Sequence, residues 1–168
     1  LFAQAGVSLL VDAGGITALS RDLRLLTDAR ASVLLTPHPG EFSRLTGLPV
    51  ERVTAEPVPL AEAFAAEYGC TILLKGHQTV VTDGHETYTV DRGGAGMATA
   101  GSGDVLSGIL TGLLGYLPLT PETAAAGATL AGIAGEIAEG RGTDITMIAS
   151  DTVAALPDAV RRVRAEGQ

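Results

Sequence analysis

Met97-Ala98-Thr99-Ala100-Gly101-Ser102-Gly103-Asp104 sets two glycines and several small residues directly ahead of an acid. An apolar run follows at once, Val105-Leu106-Ser107-Gly108-Ile109-Leu110-Thr111-Gly112-Leu113-Leu114, about the length of an ordinary buried helix. Glycine reaches backbone angles closed to other residues, so successive N–H groups can turn toward one point. A helix starting there adds unpaired N–H groups and roughly half a positive charge. The chemistry this supports is the binding of a phosphate or oxyanion by backbone. Asp104, at the lip, could take a proton from a hydroxyl held beside the anion, and that role expects a carboxyl turned away from bulk solvent. The same residues read equally as a plain helix start with Asp104 as its cap. Other glycine motifs are excluded: Leu106 stands where a dinucleotide fingerprint needs glycine, and no Lys-Ser/Thr pair completes a P-loop. Nor does a Gly-x-Ser-x-Gly elbow surround Ser102.

Three further places could bear chemistry. Thr36-Pro37-His38-Pro39-Gly40-Glu41 holds a histidine between two prolines, which fix the loop and keep His38 out of any helix. A lone histidine is also commonly just a surface residue. Lys75-Gly76-His77-Gln78-Thr79 follows a buried run, and a lysine there needs an anionic partner or an exit to solvent. A phosphate would serve, with Gly76 and Thr79 as backbone and hydroxyl donors. Asp12, closing Val7-Ser8-Leu9-Leu10-Val11, is either a site residue or the cap of the next helix. His77 and His85 fall in turns and read as solvated. Cys70, before Thr71-Ile72-Leu73, reads as a buried structural thiol.

The elements that must position these residues alternate in type. Apolar runs at 7–11, 32–35 and 71–74 read as buried parallel strands opening into loops at their C-terminal ends. Asp83-Gly84 is a hairpin turn into Glu86-Thr87-Tyr88-Thr89-Val90. Helical patterns cover 16–29, with Leu19, Leu23 and Leu26 on one face, then 41–46 and 60–68, while 51–59 reads as a connection. Residues 91–96 form a glycine-rich connection into the Gly-Asp segment. Thr120-Pro121-Glu122 starts a helix reaching about Glu139, where Gly127, Ala131 and Gly135 form a small-residue ridge suited to a neighbouring helix. Ser150-Asp151 caps a last helix toward Arg164, interrupted or kinked at Pro157. Leu1-Phe2-Ala3-Gln4-Ala5-Gly6 reads as the tail of a helix already under way, so the chain is expected to begin in mid-fold. The expectation is an α/β domain, a mainly parallel sheet flanked by helices, incomplete at its N-terminus.

Composition narrows the partners. At 168 residues there is one domain's worth of chain, and with aromatics at 4% against 46% hydrophobic residues the core must come from Ala, Val, Leu and Ile. A net charge of −8 argues against nucleic acid and anionic membrane as partners. No apolar run approaches the roughly 20 residues of a membrane span. One cysteine excludes an internal disulfide and fits a reducing compartment, here read as the cytoplasm. No Cys/His spacing suggests a protein-bound metal.

Taken in order, Thr36–Glu41, Lys75–Thr79 and Gly96–Asp104 closely resemble the ADP/ATP-dependent NAD(P)H-hydrate dehydratase family, a branch of the ribokinase-like superfamily. The Gly-Asp segment alone indicates the superfamily, and His-Pro-Gly-Glu narrows it. The resemblance covers essentially all of residues 1–168 as the C-terminal portion of one ribokinase-like domain. It implies a hydro-lyase that removes water from the S-form of hydrated NADH or NADPH, with ADP (ATP in eukaryotic members) activating the hydroxyl. By that resemblance Asp104 is the base and, with His38, contacts the substrate. Lys75, Gly76, His77, Gln78, Thr79, Gly101, Ser102 and Gly103 bind the adenine nucleotide, Mg²⁺ rides on its phosphates, and the protein is a homo-oligomer, tetrameric in the family. Gly14-Gly15 and Gly93-Gly94-Ala95 match the family least well, and the family's N-terminal portion carries further substrate contacts. Two rivals stand beside this: a sister kinase acting on a thiazole or pyrimidine alcohol, against which His-Pro-Gly-Glu argues, and a non-catalytic piece that binds nucleotide without turnover.

Overall fold

The computed structural model describes Phe2 and residues 6–166. The proposed helix tail at 1–6 therefore lies mostly outside the described residues. The chain divides into two compact units, Leu1–Val90 with Tyr116–Ala125, and Asp91–Gly115 with Ala126–Gln168.

The first unit is built on a five-stranded sheet with its strands in chain order. β1 (Ser8–Val11), β2 (Ser32–Leu35) and β3 (Thr71–Leu74) run parallel, in register Leu9↔Val33 and Leu35↔Ile72. β4 (Thr79–Thr82) and β5 (Thr87–Val90) then add antiparallel, so the sheet is mixed rather than mainly parallel. The predicted hairpin makes it so. Asp83 Oδ1 accepts the N–H groups of His85 and Glu86, both at 2.9 Å, and Gly84 takes φ 90°, tightening the turn that reverses the chain. Leu34 and Leu35 point to opposite faces of the sheet and both are fully buried, so both faces are covered.

Around the sheet lie α1 (Gly14–Leu19), α2 (Arg24–Thr27), α3 (Pro39–Thr46), α4 (Val50–Ala55) and α5 (Pro57–Tyr68). The single helix expected over 16–29 is two short ones. Ser20 Oγ donates to the Thr17 carbonyl at 2.9 Å, and Asp22 accepts both the Arg24 N–H and its guanidinium, so local side chains satisfy the backbone where the helix would continue. The expected connection at 51–59 instead forms α4 and the first turn of α5. Pro57 sits at the first position of α5, where its missing N–H costs nothing. The core joins Phe42 of α3 edge-on to Phe64 of α5, with ring centroids 5.4 Å apart, over Val33, Leu35 and Ile72.

The second unit holds a 3₁₀ turn (Ala95–Met97), α6 (Ser102–Leu114), most of α7 (Pro121–Arg141) and α8 (Ala149–Glu166). Thr120 Oγ1 accepts the Thr123 N–H at 3.1 Å, capping α7 as predicted. Of the residues of α6 only Leu110 is fully buried, contrary to the buried helix expected; it lies against Gly127 of α7. α8 continues through Pro157, so the expected interruption is absent; the carbonyl four residues earlier belongs to Val153, exposed enough for water to serve it. Ile133, Ala134, Ala138, Met147, Ala155 and Ala159 form this unit's small core. No helix among the described residues is long and apolar enough to cross a membrane.

Candidate functional site

In the first unit the C-terminal ends of β1, β2 and β3 are tied side by side. The Thr36 N–H donates to the Val11 carbonyl at 3.2 Å, and the Lys75 N–H to the Pro37 carbonyl at 2.8 Å. Lys75 Nζ then reaches past β2 to Asp12 Oδ1, 3.0 Å away. The anionic partner that Lys75 required is thus present within the chain. Asp12 Oδ1 also accepts the Ala13 N–H at 2.9 Å, and Ala13 rather than Asp12 stands at the capping position of α1. Ala13 has φ 46°, alone in the left-handed region among described non-glycine residues. The Gly15 N–H closes this turn on the Asp12 carbonyl at 2.9 Å.

His38 caps α3. Its Nδ1 accepts the N–H groups of Gly40 (3.0 Å) and Glu41 (3.3 Å), while Glu41 Oε2 accepts the His38 N–H at 2.9 Å. This is a reciprocal capping box with histidine in the place of serine or threonine. With Nδ1 accepting, the neutral ring carries its proton on Nε2, the nitrogen left to meet a ligand. Nε2 lies 3.6 Å from Glu41 Oε1, and the side chain is half exposed. Glu41 is buried, a functional position that no feature of its own marks in the sequence. Its spacing from His38, three residues, was the signal available.

Beyond Lys75 the loop opens outward. Gly76, His77 and Gln78 are exposed, Thr79 is half-buried, and both His77 and His85 are solvated as predicted. Cys70, buried at the opposite end of β3, has its thiol pushed up to about 12 by burial, fitting a structural role.

In the second unit Gly101 adopts φ 88°, and α6 begins at the next residue, Ser102. Gly101, not Asp104, occupies the capping position, so the reading of Asp104 as cap is overturned. Asp104 sits in the first turn. No side chain caps this helix, which leaves the Gly103 and Asp104 amides open at its positive end. Ser102 Oγ is buried without a hydrogen-bond partner. Such an atom costs free energy unless something binds it, and it belongs to the same first turn as the two amides. Asp104 itself is exposed, against the expectation that a base would be turned from bulk solvent. The reason is its place on the outward side of the first turn, beside half-buried Ser102 and Gly103. Among the described residues no group of three or more His, Cys, Asp or Glu could hold a metal ion.

Residues 1–157 match a family model described as NAD(P)H-hydrate dehydratase. The bifunctional NAD(P)H-hydrate repair enzyme Nnr of Moorella thermoacetica is 41% identical over 169 residues, spanning 99% of this chain and 32% of that protein. The ADP-dependent (S)-NAD(P)H-hydrate dehydratase of Neisseria meningitidis is 41% identical over 132 residues, 77% of this chain and 45% of that one. Among solved structures, the ADP/ATP-dependent NAD(P)H-hydrate dehydratase from Bacillus subtilis, co-crystallised with ATP/Mg²⁺ and soaked with CoA, superimposes with a TM-score of 0.82 at 29% identity, covering 95% of this chain and 58% of that one. The chain therefore spans half or less of these curated relatives' length, and its α/β architecture is ribokinase-like. On the match over residues 1–157, the chain belongs to the NAD(P)H-hydrate dehydratase family.

Proposed function

We propose that this chain carries the ADP-dependent dehydration of (S)-NAD(P)H hydrate to NAD(P)H, a repair of nicotinamide nucleotides. The observation that supports it most is the uncapped start of α6: left-handed Gly101, two open amides and the orphaned Ser102 Oγ. Gly103 and Asp104 amides, with Ser102, would hold nucleotide phosphate oxygens there. Lys75, with Gly76, His77, Gln78 and Thr79, would contact the nucleotide in the first unit, exchanging some of its attraction to Asp12 for phosphate. Mg²⁺, lacking a protein cage, would be carried on the phosphates and neutralise their charge.

Asp104 acts as the base. It takes the proton of the substrate hydroxyl as that oxygen is activated, a role typically worth about 10²–10⁴ in rate. Because its carboxylate is exposed, water is displaced from it by the substrate itself. His38 presents Nε2–H to the hydrated nicotinamide nucleotide, its ring already aimed by the bonds at Nδ1. We take the protein to act in the cytoplasm as a homo-oligomer.

The test is direct: the protein as its gene encodes it, incubated with ADP, Mg²⁺ and (S)-NADH hydrate, restores the absorbance of NADH. No recovery under conditions where the Bacillus subtilis enzyme works would overturn the reading. Phosphorylation of a thiazole or pyrimidine alcohol in its place would move the protein to the sister kinases, and nucleotide binding with neither activity would mark a non-catalytic piece.

A further inference from the structure

The segment leading into the Gly101–Asp104 turn is gripped by one stripe of α7. Gly132, Gly135, Glu136 and Glu139 recur three and four residues apart, so they share a helix face. At Gly132 the strap's backbone occupies the place of a side chain: a Cβ there would stand 2.5 Å from Arg92 Cβ and 2.8 Å from the Arg92 carbonyl carbon. At Gly135 a Cβ would overlap the Met97 sulfur. Between these contacts the two acids take the strap's own amides. Glu136 Oε1 accepts the Gly93 N–H at 3.1 Å, with its other oxygen 3.5 Å from the Arg92 guanidinium. Glu139 Oε2 accepts the Gly96 N–H at 3.2 Å, and a side chain at Gly94 would collide with that carboxylate.

We propose that this stripe positions the anion-binding turn, with Glu139 its principal positioning residue; the inference rests on the reading of Gly101–Asp104 as the catalytic turn. Neither acid touches a reacting atom. From the Gly96 amide to Gly101 is a short path through a 3₁₀ turn, whose Met97 N–H closes on Gly94 at 3.1 Å. A shift of the strap at Gly96 therefore reaches the amides of Gly103 and the carboxylate of Asp104. Displacement of a catalytic group by about 1 Å can cost on the order of 10²-fold in rate. A charged acceptor also holds an N–H more tightly than a neutral one.

The experiment compares Glu139→Ala, Glu139→Asp and Glu139→Gln in the protein as its gene encodes it, at a temperature where each is folded by circular dichroism. The expected result is a kcat lowered on the order of 10²-fold in Glu139→Ala. Glu139→Gln, whose amide oxygen accepts the same N–H, restores most of it. Should Glu139→Ala fail to fold, Glu139→Asp keeps the charge but withdraws the acceptor, and its kcat falls while its fold holds. Independently of turnover, ¹⁵N spectra of the nucleotide-free Glu139→Asp protein should show shifts spreading from Gly96 to Gly103 and Asp104. Parental kcat in a folded Glu139→Ala or Glu139→Asp protein, or shifts confined to Gly96, overturns the proposal. Asp104→Asn separates the two readings: if it keeps full turnover, the catalytic turn itself is misassigned, whereas its inactivity beside a fully active Glu139→Ala condemns the stripe alone.

Discussion

Lys75 Nζ lies 3.0 Å from Asp12 Oδ1, joining the residue after β3 to the residue after β1 across β2. Their side chains keep only 24% and 15% of their exposure, so removing either leaves the other charge poorly hydrated. Lys75→Met or Asp12→Asn is expected to lower stability by about 1–3 kcal/mol. The double variant should recover part of that loss. Urea unfolding of all four proteins measures the coupling, and simple additivity would show that the pair contributes nothing.

His38 carries two duties that substitution can separate. His38→Ala removes the cap of α3 and should cost about 1 kcal/mol. His38→Asn keeps a good capping acceptor and should leave stability nearly unchanged. Both lose Nε2, so both should raise KM for the hydrated dinucleotide if the ring meets the substrate. A KM that rises only in the alanine variant would reduce His38 to a structural cap.

Asp104→Asn keeps size and helix position but cannot accept the proton. Turnover should fall about 10²–10⁴-fold. The dissociation constant for ADP, read by calorimetry, should hold or improve slightly, because a negative charge beside the phosphate has gone. Equal turnover of variant and parent would remove Asp104 as the base.

Burial pushes the Cys70 thiol up from its ordinary 9.0 to about 12. In the unfolded chain the thiol ionises near the lower value, while the folded chain still holds its proton. The stabilisation is therefore complete below pH 9 and drains away as pH climbs toward 12, at about 1.4 kcal/mol per pH unit. Other groups titrate in the same range, so the comparison is with Cys70→Ala, whose stability should fall less steeply from pH 9 to 10.5. Identical slopes in urea unfolding would count against the burial of the thiol.

What could be read from the sequence was what depends on near neighbours. The apolar strands, the Asp83-Gly84 hairpin and the Thr120 cap follow from residues a few positions apart. Where local signals compete, the reading failed: Leu19, Leu23 and Leu26 have helical spacing, yet Ser20 and Asp22 end the helix between them. Residues 51–59 read as a connection because nothing in the sequence marks Pro57 as a first-turn residue. Asp12 and Lys75 each stand out alone in the sequence, but their pairing needs the sheet order, across 63 positions. The bond from Gly96 to Glu139, 43 positions apart, was likewise hidden, and the glycine ridge of α7 was assigned only to helix packing.

The glycines of α7 bear on how the molecule comes together. α7 carries Gly127, Gly132, Gly135 and Gly140 within its 21 residues, each costing it about 1 kcal/mol against alanine. As an isolated peptide it should be weakly ordered, since three of these gaps, at Gly127, Gly132 and Gly135, are also the seats of Leu110, Arg92 and Met97. Its helicity is lent by what docks on it, so α7 and the loop along its flank are expected to gain and lose order in a single step.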